Sequence, residues 1–492
     1  MKDDRFLKKA HDLMPVLYET TVRPVSGMPG KDRLMRDGDG FTLDFGSHFV
    51  GYLTLALDVK RPGDDAADAP LAVEFRFFEN LRENTDEPYT GGMSRSWFQN
   101  ASVLIDDPYA PIELPRRYSF RYVKIRFPSN TSYSVVYKDC FVRAVTSADM
   151  TKVAPLPENT DPLLVKLDKV SLLTLRDCMQ QVFEDGPKRD RRLWLGDLYL
   201  QAKTNYYTFK NNGLVLRCLY LFAGLPHDDG LLSSAVFHEP VLKNQSWVLH
   251  DYALLFVGAL ADYYRATGDI GVLKELWPAA YRQTELAYKS FEQCGRSANV
   301  DLFFIDWCPS LDKSCAALGM ILAMFKEALY LADTVGTAWE QASLEERIKD
   351  VSSALLDMYS PDIRLFRGAS GQLSAHSQMW AALAGVLGPR EQKEMMKAAL
   401  KAELVSPVAP YAMHYFVEAL ILSGLKDEAF ALLKSYWGGM LDRGYDCFPE
   451  VFVPGDPEAS PYGSPAMNSF CHAWSCTPSY FIRKYMLRSG PG

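Results

Sequence analysis

In the first 155 residues, apolar and polar side chains alternate along short stretches, most clearly at 41–59, 71–80 and 118–127. A period of two residues is typical of β-strands that bury one face. Polar turns such as 61–70 separate the stretches. Short alternating strands of this kind favour an antiparallel β-sandwich. We therefore predict a β-sandwich domain over residues 1–155.

A polar, Pro-rich stretch at 153–162 ends this region, and the pattern beyond it has a longer period. Apolar residues there recur about every 3.6 positions, as they do along the buried face of an amphipathic helix. About twelve such stretches follow one another, at 163–183, 196–211, 212–223, 246–267, 270–291, 314–334, 339–358, 375–386, 390–403, 409–423, 425–436 and 466–487. Short turns pair them into hairpins, and no repeat of about 34 residues indicates an open solenoid. We predict a helical domain over 156–492 that closes into an (α/α)6 barrel.

Composition and charge argue against some classes of binding partner and favour one kind of site. The chain has 53 basic and 61 acidic residues among 492, and 13% of its residues are aromatic. A mildly acidic chain without a basic stripe is a poor partner for nucleic acid or an anionic membrane. The aromatic share favours a pocket lined by rings, as in many small-molecule sites.

The N-terminal residues and the cysteines bear on the compartment. Residues 1–20 carry charges where a secretory signal needs an apolar core, and no run approaches the roughly 18 apolar residues of a membrane span. The nine cysteines contain no CxxC pair and no metal-ligand spacing. No Gly-rich phosphate loop occurs either. We expect a cytoplasmic protein with reduced thiols that needs no metal and no cofactor, while its oligomeric state cannot be inferred from these patterns.

Acidic and basic residues are densest in a loop at 184–197, between the first two predicted helices. The loop combines three acids, an arginine and a tryptophan: Asp185, Asp190, Asp197, Arg189 and Trp194. Clustered carboxyl groups raise one another's pKa, and an apolar wall adds desolvation in the same direction. A general acid needs such a shift to remain protonated near neutral pH. The composition fits a solvated loop of salt bridges equally well, so both interpretations stay open.

A second candidate is Glu450, a lone acid in an apolar segment. Its neighbours are Phe448, Pro449, Val451 and Phe452. A carboxylate in such surroundings is unfavourable unless it is paired, hydrogen-bonded or used in chemistry. The alternative is a loop glutamate exposed to water.

Three further segments place aromatic and polar side chains where a loop meets a predicted helix. They contribute Trp247, the pair Asp306 and Trp307, and the pair His472 and Trp474. Rings stacked on sugar C–H faces, with carboxylates bound to the hydroxyl groups, are common parts of carbohydrate sites. Taken singly, each tryptophan is more often a core residue, and a lone histidine is more often structural.

Several segments, in their order along the chain, resemble glycoside hydrolase family 78, the α-L-rhamnosidases. Motifs of that family's (α/α)6 barrel are matched by DGPKRDRRLWLGD (185–197), FIDWCP (304–309), MLDRGYDCFPE (440–450) and CHAWS (471–475). Residues 91–106 and 114–127 are similar to the β-sandwich that precedes the barrel. The resemblance extends from about residue 40 to about residue 485.

The resemblance implies a role for each of these residues. Asp190 stands at the position of the general acid and Glu450 at that of the general base. Positions that hold the sugar are matched by Asp185, Arg189, Trp194, Asp197, Trp247, Trp307 and His472, and Asp306 and Trp474 from the same motifs complete the predicted site. The family inverts the anomeric configuration, a scheme that needs the two carboxyl groups about 6.5–9.5 Å apart. These matches imply an exo-acting α-L-rhamnosidase for terminal rhamnosyl residues of oligosaccharides or glycosides.

The chain also departs from the family pattern. Many members have Glu where this chain has Asp190, and a Trp where it has Pro449. The C-terminal β-sandwich of many relatives has no counterpart after residue 475, so we expect short substrates.

Alternative functions therefore stay open. A basic cluster could bind an acidic sugar next to the rhamnose, such as glucuronate; it consists of Lys188, Arg189, Arg191 and Arg192. The same barrel could also serve a hydrolase for another terminal sugar, or a non-catalytic protein that binds rhamnosides.

Overall fold

The computed structural model describes residues 2–60, 70–85, 89, 91, 94–128 and 133–487. The turn predicted at 61–70 lies outside the described residues except at its last position. Residues 92–93 of the family-like segment 91–106 lie outside them too.

Among the described residues, seven antiparallel strands form one N-terminal sheet. They are β1 (Tyr18–Val22), β2 (Gly40–Lys60), β3 (Leu71–Phe78), β4 (Asn100–Ile105), β5 (Ile112–Glu113), β6 (Tyr118–Arg126) and β7 (Ser134–Thr146). Their order is β1-β7-β2-β6-β3-β4, and β5 pairs with β2. Buried and half-buried side chains alternate along β2 and β3, as the sequence period indicates. The predicted antiparallel sheet is confirmed, whereas its folding into a sandwich stays a prediction.

The second part of the chain is helical, as predicted. Its main helices are α2 (Pro162–Cys178), α3 (Leu195–Tyr207), α4 (Asn212–Gly224), α5 (His250–Thr267), α6 (Ile270–Gln293), α7 (Ser314–Val335), α8 (Ala338–Leu356), α9 (Ala375–Ala384), α10 (Pro389–Ala399), α11 (Pro410–Leu422), α12 (Lys426–Asp442) and α13 (Pro478–Phe481). A short N-terminal helix, α1 (Asp4–Asp12), packs against α4 rather than against the sheet. Closure of these helices into a barrel stays a prediction, and so do the domain boundaries.

The last predicted helix is largely wrong. Residues 466–487 were expected to form one helix, but α13 begins only at Pro478 and is followed by a π-helical turn at Ile482–Met486. Proline fits the first turn of a helix, since its missing N–H would have no partner there, whereas a helix that continued through Pro478 would lose a backbone hydrogen bond. The 12 residues upstream therefore form short turns that contribute to the site described below.

Helix α7 is long and apolar enough to cross a membrane by length and composition alone. However, 78% of its most apolar 18-residue window is buried inside the protein. Such burial is that of a helix at the centre of a large hydrophobic core.

The loops before α3, α5 and α7 meet at one end of the helical domain. Trp194 precedes α3 as part of a short strand, β8 (Leu193–Trp194). This strand pairs with β9 (Ala235–Phe237), which in turn pairs with β10 (Lys243–Asn244). The chain thus carries polar and aromatic side chains at the starts of several helices into one region.

Candidate active site

One cavity at this end of the helical domain collects most of the predicted site residues. Its lining consists of Asp185, Asp190, Trp194, Asp197, Trp247, Leu249, Tyr252, Phe304, Trp307, Glu450, Tyr462, His472 and Trp474. Nine of the eleven residues predicted from the sequence are among them, and the roles of all eleven stay predictions. A larger cavity of about 470 Å³ near Lys203 and Asp262 is lined by none of the predicted residues.

The acidic loop reaches the cavity through an unusual backbone conformation. Asp190 and Arg191 have φ angles of 51° and 54°, in the left-handed region. For residues other than glycine this conformation costs about 1–2 kcal/mol each, and such strain is concentrated at functional sites. The base of the loop is closed by two bonds, since the Asp185 N–H donates to the Arg192 carbonyl (3.1 Å) and the Arg192 N–H donates to Asp185 Oδ1 (3.0 Å). Asp190 is thereby held at the tip of a tight loop.

Two carboxyl groups of this loop have raised pKa values. Burial is the largest cause for Asp185, and repulsion from Asp190 and Asp197 adds to it. The pKa of Asp197 is also raised by burial, although a hydrogen bond with His472 (3.0 Å from Nε2 to Oδ1) opposes the effect. The increase in pKa that is expected when carboxyl groups cluster therefore occurs at Asp185.

Glu450 is buried, yet its carboxylate is strongly stabilised. Arg189 Nη2 donates to Oε2 at 2.6 Å, the Tyr462 hydroxyl donates to Oε1, and the Ser469 N–H donates to Oε2 at 3.3 Å. Burial alone would raise the pKa of Glu450, but Arg189, His472 and Tyr462 outweigh it and lower the pKa. A carboxylate that stays ionised can accept a proton.

Aromatic rings form the wall of the cavity. The Trp194 and Trp247 ring centroids lie 5.5 Å apart, those of Phe304 and Trp307 lie 5.0 Å apart, and Phe304 stacks on Trp474 at 6.0 Å. Trp247 is 48% exposed, so its ring borders the opening. The buried Nε1–H groups of Trp194 and Trp307 have no protein partner. Buried donors without a partner are rare, and a bound hydroxyl group would satisfy them.

His472 approaches the cavity where the chain carries a glycine. A Cβ atom on Gly186 would lie 2.6 Å from Ser469 Oγ and 3.1 Å from His472 Nδ1. The absence of a side chain at Gly186 allows the acidic loop to pass directly over the His472 segment. His472 Nδ1 has no partner within the protein.

Two predicted site residues do not line the cavity. Arg189 lies outside the lining and donates a hydrogen bond to the Glu450 carboxylate. Asp306 is buried, and its oxygens accept bonds from His376 Nε2 (2.8 Å) and from the Val408 and Ala409 N–H groups (2.7 and 3.0 Å). Asp306 therefore anchors the start of α11, and its predicted role in binding the sugar stays a prediction.

The structure adds four residues to the lining that the sequence analysis did not select: Leu249, Tyr252, Phe304 and Tyr462. Leu249 and Tyr252 lie close to Trp247 in the sequence, and Phe304 lies close to Trp307. These two tryptophans could therefore have indicated them. Tyr462 lies in a Pro- and Gly-rich segment, 454–465, that carries no recognisable motif.

Among the described residues, one buried group has the composition of a metal site. It consists of His48, Asp177, Cys447 and Cys471, whose ligand atoms lie within 4.8 Å of one another. Both His48 ring nitrogens already have partners, Asp177 Oδ2 at 2.6 Å and Ser119 Oγ at 2.9 Å. We interpret the group as a hydrogen-bond network, and the expectation that no metal is needed stays a prediction.

Family models match both parts of the chain. A glycosyl hydrolase family 78 α-rhamnosidase N-terminal domain matches residues 22–144, and a bacterial α-L-rhamnosidase six-hairpin glycosidase domain matches residues 158–486. No curated protein matches the chain.

Solved structures with the same fold include a rhamnosidase from Klebsiella oxytoca with rhamnose bound. It is 39% identical, with a TM-score of 0.93 and 99% of each chain covered. The family 78 rhamnosidase of Bacillus sp. GL1 is 20% identical with a TM-score of 0.78, and 92% of this chain covers 47% of that one. The Streptomyces avermitilis α-L-rhamnosidase complexed with L-rhamnose is 20% identical with a TM-score of 0.69, and 96% of this chain covers 44% of that one.

Proposed function

This chain belongs to glycoside hydrolase family 78 and is an α-L-rhamnosidase, and from that premise we propose that it removes terminal α-L-rhamnosyl residues with inversion of configuration. Asp190 is the general acid and Glu450 the general base. A water proton passes to Glu450 as the water oxygen attacks the anomeric carbon, and Asp190 protonates the departing glycosidic oxygen. The observation that supports this assignment best is the ionised, buried Glu450 in the same cavity as the acidic loop.

The remaining polar groups of the cavity suit a sugar. Asp185, Asp197 and His472 can bind hydroxyl groups, with bonds that strengthen as positive charge develops on the ring. The unpartnered Nε1–H groups of Trp194 and Trp307 can donate to further hydroxyl oxygens. A ring of this wall suits the apolar C5 methyl edge of rhamnose.

We also propose that the helices of residues 156–492 close into an (α/α)6 barrel behind a β-sandwich of residues 1–155. Support comes from the matched six-hairpin domain and from adjacent helices that pack in pairs, such as α5 with α6 and α7 with α8. The cavity then occupies one mouth of the barrel.

The stereochemical test follows the first product formed. With an aryl α-L-rhamnoside and the wild-type enzyme, proton NMR in the first minutes should show β-L-rhamnose before it mutarotates, since water attacks the face opposite the leaving group. Initial formation of α-L-rhamnose would contradict the inverting scheme while leaving the rhamnosidase activity intact.

The base is tested by Glu450→Gln, which removes the proton acceptor and keeps the shape. We expect kcat to fall by about 10²–10⁴-fold, the usual contribution of such a group. Titration calorimetry should still detect rhamnose binding. Glu458→Gln, at a surface position in the nearby segment, is the matched control, and wild-type turnover by Glu450→Gln would contradict the assignment.

A second proposal concerns the leaving group, an acidic sugar such as glucuronate. Two members of the basic cluster are engaged elsewhere. Lys188 is buried in an ion pair with Glu83 (3.0 Å), and Arg189 binds Glu450. Arg191 is half-buried near Arg117 and does not line the cavity.

Arg192 is the member of the cluster that supports this proposal. Its guanidinium Nη1 lies 4.0 Å from Asp190 Oδ2, and 21% of its side chain is exposed. The same group lies over the Phe237 ring at 4.2 Å and faces Trp97 at 6.0 Å. An arginine fixed between two rings beside the general acid can pair with a carboxylate of the departing sugar.

The test compares rhamnosyl-glucuronate with rhamnosyl-glucose. Arg192→Gln should lower the ratio of their kcat/KM values by about tenfold or more, because a charge-assisted hydrogen bond contributes about 1.5–3 kcal/mol. Arg282→Gln, on the surface of α6, serves as the control. An unchanged ratio would contradict an acidic leaving group.

A further inference from the structure

Tyr462 lies between the two charged groups that define the predicted base. Its hydroxyl donates to Glu450 Oε1 and accepts a bond from Arg189 Nη2 at 2.7 Å. The Arg189 guanidinium also lies over the Tyr462 ring, 4.0 Å from the centroid. Arg189, Tyr462 and Glu450 thus form a closed triangle of hydrogen bonds with a cation–π contact.

The surrounding structure fixes the position of this tyrosine. The Tyr462 N–H donates to Ser460 Oγ at 3.1 Å, and the Tyr462 carbonyl accepts a bond from the Tyr89 hydroxyl of the sheet domain at 3.0 Å. The ring meets Trp307 edge-on, with centroids 5.7 Å apart. Backbone and ring are therefore held from both domains.

We propose that Tyr462 is a positioning residue that orients the Glu450 carboxylate and keeps it ionised for the activation of water. The inference rests on the proposed function, because it gives Glu450 the role of base. Arg189 and the Ser469 N–H hold Oε2, while Tyr462 holds Oε1, so the plane of the carboxylate is fixed by donors on both sides. A carboxylate oxygen accepts more than one bond, which leaves room for water.

Other charged groups also act on Glu450. Arg189 and His472 favour its ionised form, whereas Asp197 disfavours it, and the acids Asp185 and Asp190 line the same cavity. Removal of the Tyr462 hydroxyl leaves all of these in place and takes away one bond to the charged form. The pKa of Glu450 should then rise.

The experiment measures kcat/KM against pH with a neutral aryl rhamnoside. The activity of an ionised base falls as pH drops through its pKa, so Tyr462→Phe should move the acidic limb upward by about one pH unit. Tyr288→Phe is the matched control, since it removes a hydroxyl bond to Asp350 (2.6 Å) far from the cavity. A merely structural loss would lower kcat without moving the limb.

A second variant keeps the hydroxyl group. Tyr462 replaced by 3,5-difluorotyrosine has a more acidic hydroxyl, donates more strongly, and should move the same limb downward. A limb that stays in place in both variants would overturn the inference even if the wild-type enzyme is fully active. A wild-type enzyme without rhamnosidase turnover would instead overturn the proposed function.

Discussion

Neighbouring carboxyl groups in the cavity have pKa values displaced in opposite directions. At Asp185, burial and the nearby acids Asp190 and Asp197 outweigh two backbone hydrogen bonds, so its pKa is raised. Glu450 is equally buried, but Arg189 holds its pKa down. A single pocket thus favours the protonated form at Asp185, a predicted sugar-binding residue, and the ionised form at Glu450, the predicted base.

Asp190→Asn tests the acid through its leaving group. An alkyl alcohol needs a proton to depart, whereas dinitrophenolate does not. We expect kcat for an alkyl rhamnoside to fall by about 10²–10⁴-fold, with a much smaller loss for the dinitrophenyl rhamnoside. Asp301→Asn, at an exposed position, is the control.

Equal losses of kcat on the alkyl and dinitrophenyl rhamnosides would contradict this role and would indicate that Asp190 binds the sugar.

Local sequence could identify the carboxylates, but not what surrounds them. Asp190 and Glu450 were found because their segments combine acids with rings or with an apolar run. Tyr462 lies in a segment without such a combination of residues. Only its contacts with Arg189 and Glu450 in the folded protein connect it to the predicted base. Asp306 shows the converse, because it belongs to a family-like motif and yet lies outside the cavity lining, where it holds backbone N–H groups.

Two helices of the core approach each other through a glycine. A Cβ atom on Gly319 of α7 would lie 2.7 Å from the backbone carbon of Trp380 in α9. The contact brings α7, the most apolar of the long helices, directly against its neighbour. Close backbone approach of this kind requires the smallest residue.

Gly319→Ala should therefore destabilise the protein, although alanine favours a helix by up to about 1 kcal/mol. Overpacking of a rigid backbone contact costs about 1–3 kcal/mol, so we expect a net loss in the free energy of unfolding by urea. Gly438→Ala in α12 is the matched control, because its nearest neighbour is the Leu163 side chain at 3.7 Å. A higher free energy of unfolding in both variants would contradict this prediction and show that α7 and α9 can move apart to admit a methyl group.

Long helices were predicted well where their own sequence determines them. Helix α7 was expected at 314–334 and occurs at Ser314–Val335, while α6 was expected at 270–291 and occurs at Ile270–Gln293. The helix expected at 466–487 failed because distant partners take its N–H groups. The His472 N–H donates to Phe448 and the Ala473 N–H donates to Asp185, both at 2.9 Å.

The two domains are joined by a buried charged network. His48 of β2 binds Asp177 of α2, and Arg176 Nη2 donates to the His48 carbonyl at 2.8 Å. Burial alone would lower the pKa of His48, but contacts with Cys447, Asp177 and Glu79 raise it well above its ordinary range. The imidazolium form therefore stabilises the folded protein.

This network predicts a pH dependence of stability. A group with a raised pKa in the folded state contributes fully below its unfolded value of about 6.5, and the contribution declines by about 1.4 kcal/mol per pH unit above it. The stability difference between the wild type and His48→Gln should shrink as pH rises from 6.5 to 8.5. Urea unfolding of both proteins at three pH values measures this stability difference. A difference that does not change with pH would contradict a charged His48.

The bond from the Tyr89 hydroxyl to the Tyr462 carbonyl has a further consequence, because it comes from the sheet domain and supports the segment that touches Glu450. Arg82 contacts the same segment at the Pro457 carbonyl (3.2 Å). A helical domain expressed alone would keep every carboxylate of the pocket and lose the support for one of its walls. We therefore expect the helical domain alone to hydrolyse rhamnosides more slowly than the whole chain, and trimming this enzyme for applications should spare the sheet.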